Sequence, residues 1–423
     1  MNRRSFTQSL SALALGSSTS LTSSALRAAA DVVAQTSSVD DSRAERQIAR
    51  TTVDTPMRLG LIGAGSRGQE LMRNFLRVPG VKVTAAADVY QPRFEQLNKV
   101  CGYEVARHAD YRALLDRKDL DAIVVATPLG LHAEHVLPAL KSDRPVYGEK
   151  TMAYTIEQSR EIVAEVASRK QVFQVGHQYR YSPWIRAAVA RVQAGEIGEV
   201  THVLAYWNRN NSWRRPVPDP SLERLINWRL YHQWSLGLIA ELGSHHMDIA
   251  NWVMGSAPVA AQSSGSICCY HDGREVDDNV QVILSYPGGR RMIFSSMTNN
   301  AMMGDQLWLY GTKGSLDLTL QDASFYYEPR RVEAVKVGKE YEPVVTGASY
   351  NPANEMPYRG PGKPVEVKDP EDPTTAATRA FVHCVRTGER PIADELVGLG
   401  SAMAVVSANQ ARAAKREVEI TAV

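Results

Sequence analysis

Cysteine is scarce in this chain, with Cys101, Cys268, Cys269 and Cys384 the only four among 423 residues. They form no CxxC pair and no zinc-ligand spacing, which excludes a disulfide scaffold and a structural zinc domain and leaves the expectation of four buried thiols. A surplus of one charge is also missing. Lys and Arg number 48 against 46 Asp and Glu, a formal +2, so the electrostatics give no reason to expect nucleic acid or an anionic membrane as partner. No stretch reaches the ~18 uninterrupted apolar residues of a spanning helix. There is no internal repeat. What is present is ordinary globular composition, 44% hydrophobic and 22% charged, at a length that fits two or three domains.

The N-terminus reads as a leader. Asn2-Arg3-Arg4-Ser5-Phe6-Thr7 places paired arginines before a mildly apolar run from Leu10 to Leu21, and Ala28-Ala29-Ala30 supplies a small-residue cleavage site. The pattern resembles a twin-arginine signal peptide over residues 1–30, so the expectation is a bacterial protein exported, already folded, to the periplasm. Cleavage after Ala30 removes three arginines and no acid, leaving the mature chain at −1. Residues 31–56 are polar and aperiodic and read as a linker or arm.

Residues 57–178 read as a dinucleotide-binding domain. The apolar run Met57 to Ile62 leads into Gly63-Ala64-Gly65-Ser66-Arg67-Gly68, and a helical pattern with Leu71, Phe75 and Leu76 follows. Gly63 suits the tight turn, Gly65 the close approach of a pyrophosphate and Gly68 the packing of helix on strand, with the pyrophosphate on the helix N-terminus. The next strand, Val81 to Ala87, ends at Asp88, 25 residues after Gly63. An acid there binds the ribose hydroxyls and repels a 2′-phosphate, which favours NAD; Arg93, five residues on, keeps NADP open. Strands and helices then alternate through Thr127-Pro128 and His132, Glu149-Lys150 and Val175, the pattern of a doubly wound parallel sheet with its ligand at the strand ends.

Residues 179–423 change texture. The strand Gly198 to Trp207 opens into Asn208-Arg209-Asn210-Asn211 and Trp213-Arg214-Arg215, a mixture of aromatic faces and forked donors that suits a carbohydrate. Glu241, His245 and Asp248 stand at i, i+4 and i+7, so on one continuous helix they share a face, with Glu241 placed to orient His245. No metal spacing accompanies them, and no metal is expected. Further strands pair as hairpins around Gly288-Gly289 and Gly311-Thr312-Lys313-Gly314, giving a mostly antiparallel open sheet whose outer face invites self-association. Ser349 to Asp372 reads as a long surface loop, before closing helices at Thr375 to Arg386 and Leu396 to Lys415.

From about Arg58 to Val423 these pieces resemble the glucose–fructose oxidoreductase, inositol dehydrogenase and MocA-type (Gfo/Idh/MocA) family, through the glycine-rich turn, Val125-Ala126-Thr127-Pro128 with His132, Glu149-Lys150, Glu241 to Asp248, Tyr310 to Gly314 and Arg390 to Asp394. The resemblance implies a Rossmann domain followed by an α/β domain, assembled as a homodimer or homotetramer, acting on a sugar or cyclitol hydroxyl with NAD or NADP. It implies Lys150, His245 and Glu241 as catalytic residues, although the family's Glu-Lys-Pro reads Glu149-Lys150-Thr151 here and its Asp-x-x-x-His reads Glu241 to His245. Gly63, Gly65, Ser66, Arg67, Gly68, Asp88, Thr127, Pro128, His132, Glu149 and Lys150 would serve the cofactor. Tyr179, Arg180, Trp213, His246 and Asp248, with His177, would line the substrate pocket. Some relatives cleave glycosides with a retained NAD by transient oxidation, elimination and re-reduction, and that reading stands as the alternative to net oxidoreduction.

Overall fold

The computed structural model describes residues 56–328 and 361–421. The expected leader, nearly all of the linker and the first half of the expected loop from Ser349 lie outside the described residues. The first sheet is fully parallel, built from β1 (Met57–Ile62), β2 (Val81–Ala87), β3 (Ala106–His108), β4 (Ala122–Val125), β5 (Val146–Gly148) and β6 (Phe173–Val175) in the order β3-β2-β1-β4-β5-β6. The connecting helices are α1 (Ser66–Phe75), α2 (Arg93–Cys101), α3 (Tyr111–Leu115), α4 (His132–Lys141) and α5 (Ile156–Arg169). β1 and β4 are neighbours from which the chain winds in opposite directions, so the turns after Ile62 and Val125 open side by side. β4 is buried along its whole length, as a central parallel strand covered on both faces must be. Thr155 and Gln158 start α5 with a reciprocal capping box, and Ser182 caps the helix that opens the second half.

That helix, α6 (Pro183–Gln193), leads to a nine-stranded sheet of β7 (Val200–Trp207), β8 (Ala260–Ser266), β9 (Asn279–Ser285), β10 (Arg291–Met297), β11 (Asp305–Gly311), β12 (Gly314–Leu318), β13 (Ala323–Tyr327), β14 (Lys363–Pro364) and β15 (Val418–Glu419). Its order is β14-β13-β12-β11-β7-β10-β9-β8-β15, antiparallel except between β7 and β10. β14 falls inside the expected loop and pairs its two residues with β13. Val203, Ala205, Val282, Phe294, Leu309 and Phe325 turn one face inward, beneath α6, α8 (Ser244–Met254) and α10 (Glu395–Ala414); α7 (Glu223–Ile226) lies in the long excursion after β7. The other face presents Ile283, Ile293 and Tyr310, all more than a third exposed, with Trp308 stacked between Tyr310 and Tyr326.

The two sheets divide near residue 178, but the C-terminal segment does not stay with the second. Helix α9 (Pro373–Thr387) returns to the first sheet, where Phe381 packs edge-on against Phe75 and Tyr147 at centroid distances of 5.9 and 5.7 Å. Thr375 Oγ1 and Arg386 reach Asn74 and the Pro79 carbonyl. The expected single block 179–423 is therefore corrected: its penultimate helix completes the core of the nucleotide-binding half.

Candidate active site

The glycine-rich turn has the geometry its residues require. Gly63 has φ +94°, and a Cβ on it would stand 2.7 Å from the Ala126 carbonyl oxygen. A Cβ on Gly68 would stand 2.1 Å from the Gly63 carbonyl oxygen, so any larger residue would push α1 off β1. The first turn of α1 has no side-chain cap and no acidic residue, leaving its N–H groups and positive dipole end for an anion. Asp88, buried at the end of β2, accepts from Ala64 N and Tyr90 N, both at 2.8 Å. Arg93 Nη1 donates to both Asp88 oxygens at 3.0 and 3.1 Å.

A crevice of about 940 Å³ runs along these strand ends. Gly63, Gly65, Ser66, Arg67, Asp88, Thr127 and Pro128 line it, as expected, together with Arg93. Its outer wall is a surprise of tertiary structure: residues between 215 and 234, from the excursion after β7, face the Rossmann strand ends across the opening. Four expected cofactor residues stand behind the wall. Gly68 packs on Gly63. Glu149 accepts from Arg67 Nε at 2.7 Å, tying the end of β5 to the glycine-rich turn. His132 sets its two ring nitrogens against the Thr151 and Thr127 carbonyls at 2.7 and 2.9 Å, joining the β4 and β5 loops. Lys150 turns away from the crevice toward the second domain.

Its ammonium donates to the backbone carbonyls of Glu241 (2.6 Å) and Ala240 (3.2 Å). These belong to a π-helical turn, Ile239–Gly243, that precedes α8. Glu241 lies in this turn, and no hydrogen bond joins its carboxylate to His245 among the described residues. The expected pairing is corrected: the Glu241 carboxylate accepts from Arg229 Nε at 2.8 Å and Ser235 Oγ at 3.3 Å. His245 is positioned by stacking instead. Tyr179 lies parallel to it at 4.4 Å, with Trp207 and His177 both at 5.9 Å, and the His245 Nδ1 is buried without a partner. Burial, then the positive charge of Lys150, hold its pKa well below 6.5, so the ring is neutral. Burial likewise lowers the Lys150 ammonium below 10.5.

The other expected substrate residues sort into two groups. Tyr179 and His246 belong to the ring cluster and share one acid: the Tyr179 hydroxyl donates to one oxygen of Asp305, and His246 Nε2 contacts the other at 2.8 Å. Arg180 and Asp248 are spent on each other in a buried bidentate pair at 2.8 and 2.9 Å. Both His177 ring nitrogens are buried without a hydrogen-bond partner, Nδ1 lying 3.9 Å from Asp248 Oδ2. Trp213 makes none of the ring contacts around His245 among the described residues, and Trp207 holds that place. Asp305, 126 residues from Tyr179, and Arg229, 12 residues before Glu241, also belong to the site, and neither carries a motif in the sequence. Among the described residues no three His, Cys, Asp or Glu side chains are arranged to hold a metal ion, and no helix is long and apolar enough to cross a membrane.

Comparison with known proteins agrees with this geometry. A model of the oxidoreductase family's NAD-binding Rossmann fold matches residues 57–177, and one of the GFO/IDH/MocA C-terminal domain matches residues 185–317. The uncharacterized oxidoreductase YrbE of Bacillus subtilis (strain 168) is 27% identical over 259 residues, 60% of this chain and 72% of its own length. The inositol 2-dehydrogenase of Pseudomonas syringae pv. syringae (strain B728a) is 37% identical over 150 residues, 34% of this chain and only 43% of its own. Among solved structures, levoglucosan dehydrogenase in complex with NADH and levoglucosan superposes with a TM-score of 0.69 at 18% identity, over 87% of this chain and 100% of that one, a likeness of fold.

Proposed function

The chain belongs to the GFO/IDH/MocA family of NAD-binding oxidoreductases, and from that premise we propose that it oxidises a hydroxyl of a sugar or cyclitol. One observation carries the proposal: Lys150, at the end of β5, turns its ammonium onto the segment that leads into α8, near enough to the buried His245 for its charge to act on the ring. NAD, held by the glycine-rich turn and Asp88, supplies the hydride acceptor. His245 takes the proton of the reacting hydroxyl, for which a neutral ring is required. Lys150 supplies positive charge to the oxygen as it becomes negative, and desolvation strengthens that interaction. Tyr179 fixes the plane of the His245 ring, and His177, packed against that ring, has an imidazole nitrogen to offer a neighbouring hydroxyl.

A second reading, glycoside cleavage without net redox on a retained cofactor, is favoured by the second-domain wall across the crevice. Free sugars and cyclitols, and nitrophenyl glycosides, offered separately to the purified protein decide between them. NADH formed from a free polyol supports the first reading, and phenol release without net NADH replaces it with the second. Silence on both panels, with the fold intact, counts against either.

The leader carries two further parts of the proposal: export by the twin-arginine route and a periplasmic site of action, tested by cell fractionation of the wild type and of Arg3→Lys/Arg4→Lys. The open face around Trp308, Tyr310 and Ile293 supports self-association, tested by sedimentation.

A further inference from the structure

Six arginines line the crevice: Arg67, Arg93, Arg112, Arg215, Arg224 and Arg229. Five are paired with acids. Arg67 meets Glu149, Arg93 meets Asp88, Arg112 meets Asp110, Arg224 meets Glu275 and Arg229 meets Glu241. Arg215 has no carboxylate within ion-pairing distance among the described residues. Its Nη1 instead donates to Ser66 Oγ at 3.0 Å, across the crevice and 149 residues away in sequence. Ser66 opens α1, whose first turn is uncapped. Three features that favour an anion therefore meet at one point: the free N–H groups, the dipole end and a guanidinium without a counter-charge.

The Arg215 main chain is fixed in place. Its N–H donates to Asn227 Oδ1 at 2.7 Å and its carbonyl accepts from Asn227 Nδ2 at 3.0 Å. Asn227 is 2% exposed and also donates to Glu223 at 3.0 Å. Pro216 and Pro218 stiffen the following turn. Arg229 and Arg93 stand close enough for their charges to act on Arg215, so an anion between them would relieve repulsion as well as gain a partner.

We propose that Arg215 is a clasp: a cofactor-binding residue supplied by the second domain that pairs with the dinucleotide's pyrophosphate over the N-terminus of α1 and slows its departure. The inference rests on the NAD-binding reading of the crevice. It assigns Arg215 to retention of the cofactor, independently of which hydroxyl is oxidised. Release of the dinucleotide requires the Arg215–Ser66 bridge to open.

The test measures release of NADH from the purified protein by stopped-flow fluorescence on dilution into excess NAD, for the wild type, Arg215→Ala and Arg215→Lys. Arg215→Ala is expected to release NADH at least about tenfold faster, with Arg215→Lys between the two, because a lysine keeps the charge and loses the fork. Competition with ADP-ribose and with adenosine supplies a second readout. ADP-ribose affinity is expected to fall about tenfold in Arg215→Ala while adenosine affinity stays within about twofold, since only the former carries the pyrophosphate. Unchanged release, or equal losses for both competitors, overturns the clasp while leaving the cofactor reading in place. A folded wild type that binds no NADH overturns both.

Discussion

Tyr179 and His245 lie face to face, 4.4 Å between ring centroids and 12° between planes, while the Tyr179 hydroxyl is tied to Asp305. The stack, and no carboxylate, sets the orientation of the proposed base. Tyr179→Phe should therefore retain most activity, since the ring remains. Tyr179→Ala should lower kcat/KM by about a hundredfold, the scale expected when a catalytic group loses its alignment. Steady-state kinetics on both variants, with melting curves to confirm folding, decide this. Equal loss in the two would move the role from the ring to the hydroxyl.

His245→Ala and Lys150→Ala should each lower turnover at least about a hundredfold while NADH still binds, because neither side chain lines the crevice. The pH profile of the wild type adds a sign. The His245 ring accepts a proton only when neutral, and its pKa lies well below 6.5. The rate should thus hold as pH falls past 6.5 instead of dropping there. Lys150 must be charged, and its pKa lies below 10.5, so the alkaline fall should come earlier than for an ordinary lysine. A rate that halves at the usual histidine pKa would contradict the assignment.

Acid should destabilise the fold before the carboxylates titrate. Burial lowers the pKa values of His135, His177 and His245 from 6.5, in His135 to about 4. Below 6.5 the unfolded chain binds these protons and the folded chain does not, so the stability contributed above 6.5 is lost as pH falls. His135 alone accounts for on the order of 3 kcal/mol by about pH 4. Thermal melts between about pH 7 and 5 should show a falling Tm, and His135→Asn should flatten the slope. A Tm constant over that range would refute the buried neutral histidines.

Asp88→Ala should shift cofactor choice toward NADP. The carboxylate occupies Arg93 with two hydrogen bonds, and its removal frees that guanidinium for a 2′-phosphate while deleting the ribose acceptor. Charge-assisted hydrogen bonds of this kind are each worth about 1.5–3 kcal/mol, so the NAD to NADP ratio of kcat/KM should fall by about tenfold or more. An unchanged ratio would separate Asp88 from the ribose.

The sequence carried the sheet-forming half well because its signals are local. Gly63 to Gly68, Asp88 and Thr127 each sit at the end of an apolar run, and such ends converge in any parallel sheet. The pairing of Glu241 with His245 failed because spacing does not say which partner a carboxylate takes, and Arg229 and Ser235, from the excursion after β7, hold it instead. Asp305 was illegible as a site residue, and Arg215 was legible only as a forked donor for a carbohydrate, because their partners lie far along the chain, 126 residues from Tyr179 to Asp305 and 149 from Ser66 to Arg215. Pairings over such distances are set by how two domains dock, about which neither periodicity nor spacing informs.

The return of α9 to the first sheet bears on how this architecture can be cut and recombined. Phe381 and Val382 occupy the core around Phe75 and Tyr147, so a fragment ending near residue 178 would leave an open apolar socket. An exchange of nucleotide-binding halves between relatives must carry residues 373–387 along with residues 57–178. The halves are separate sheets but a single unit of inheritance.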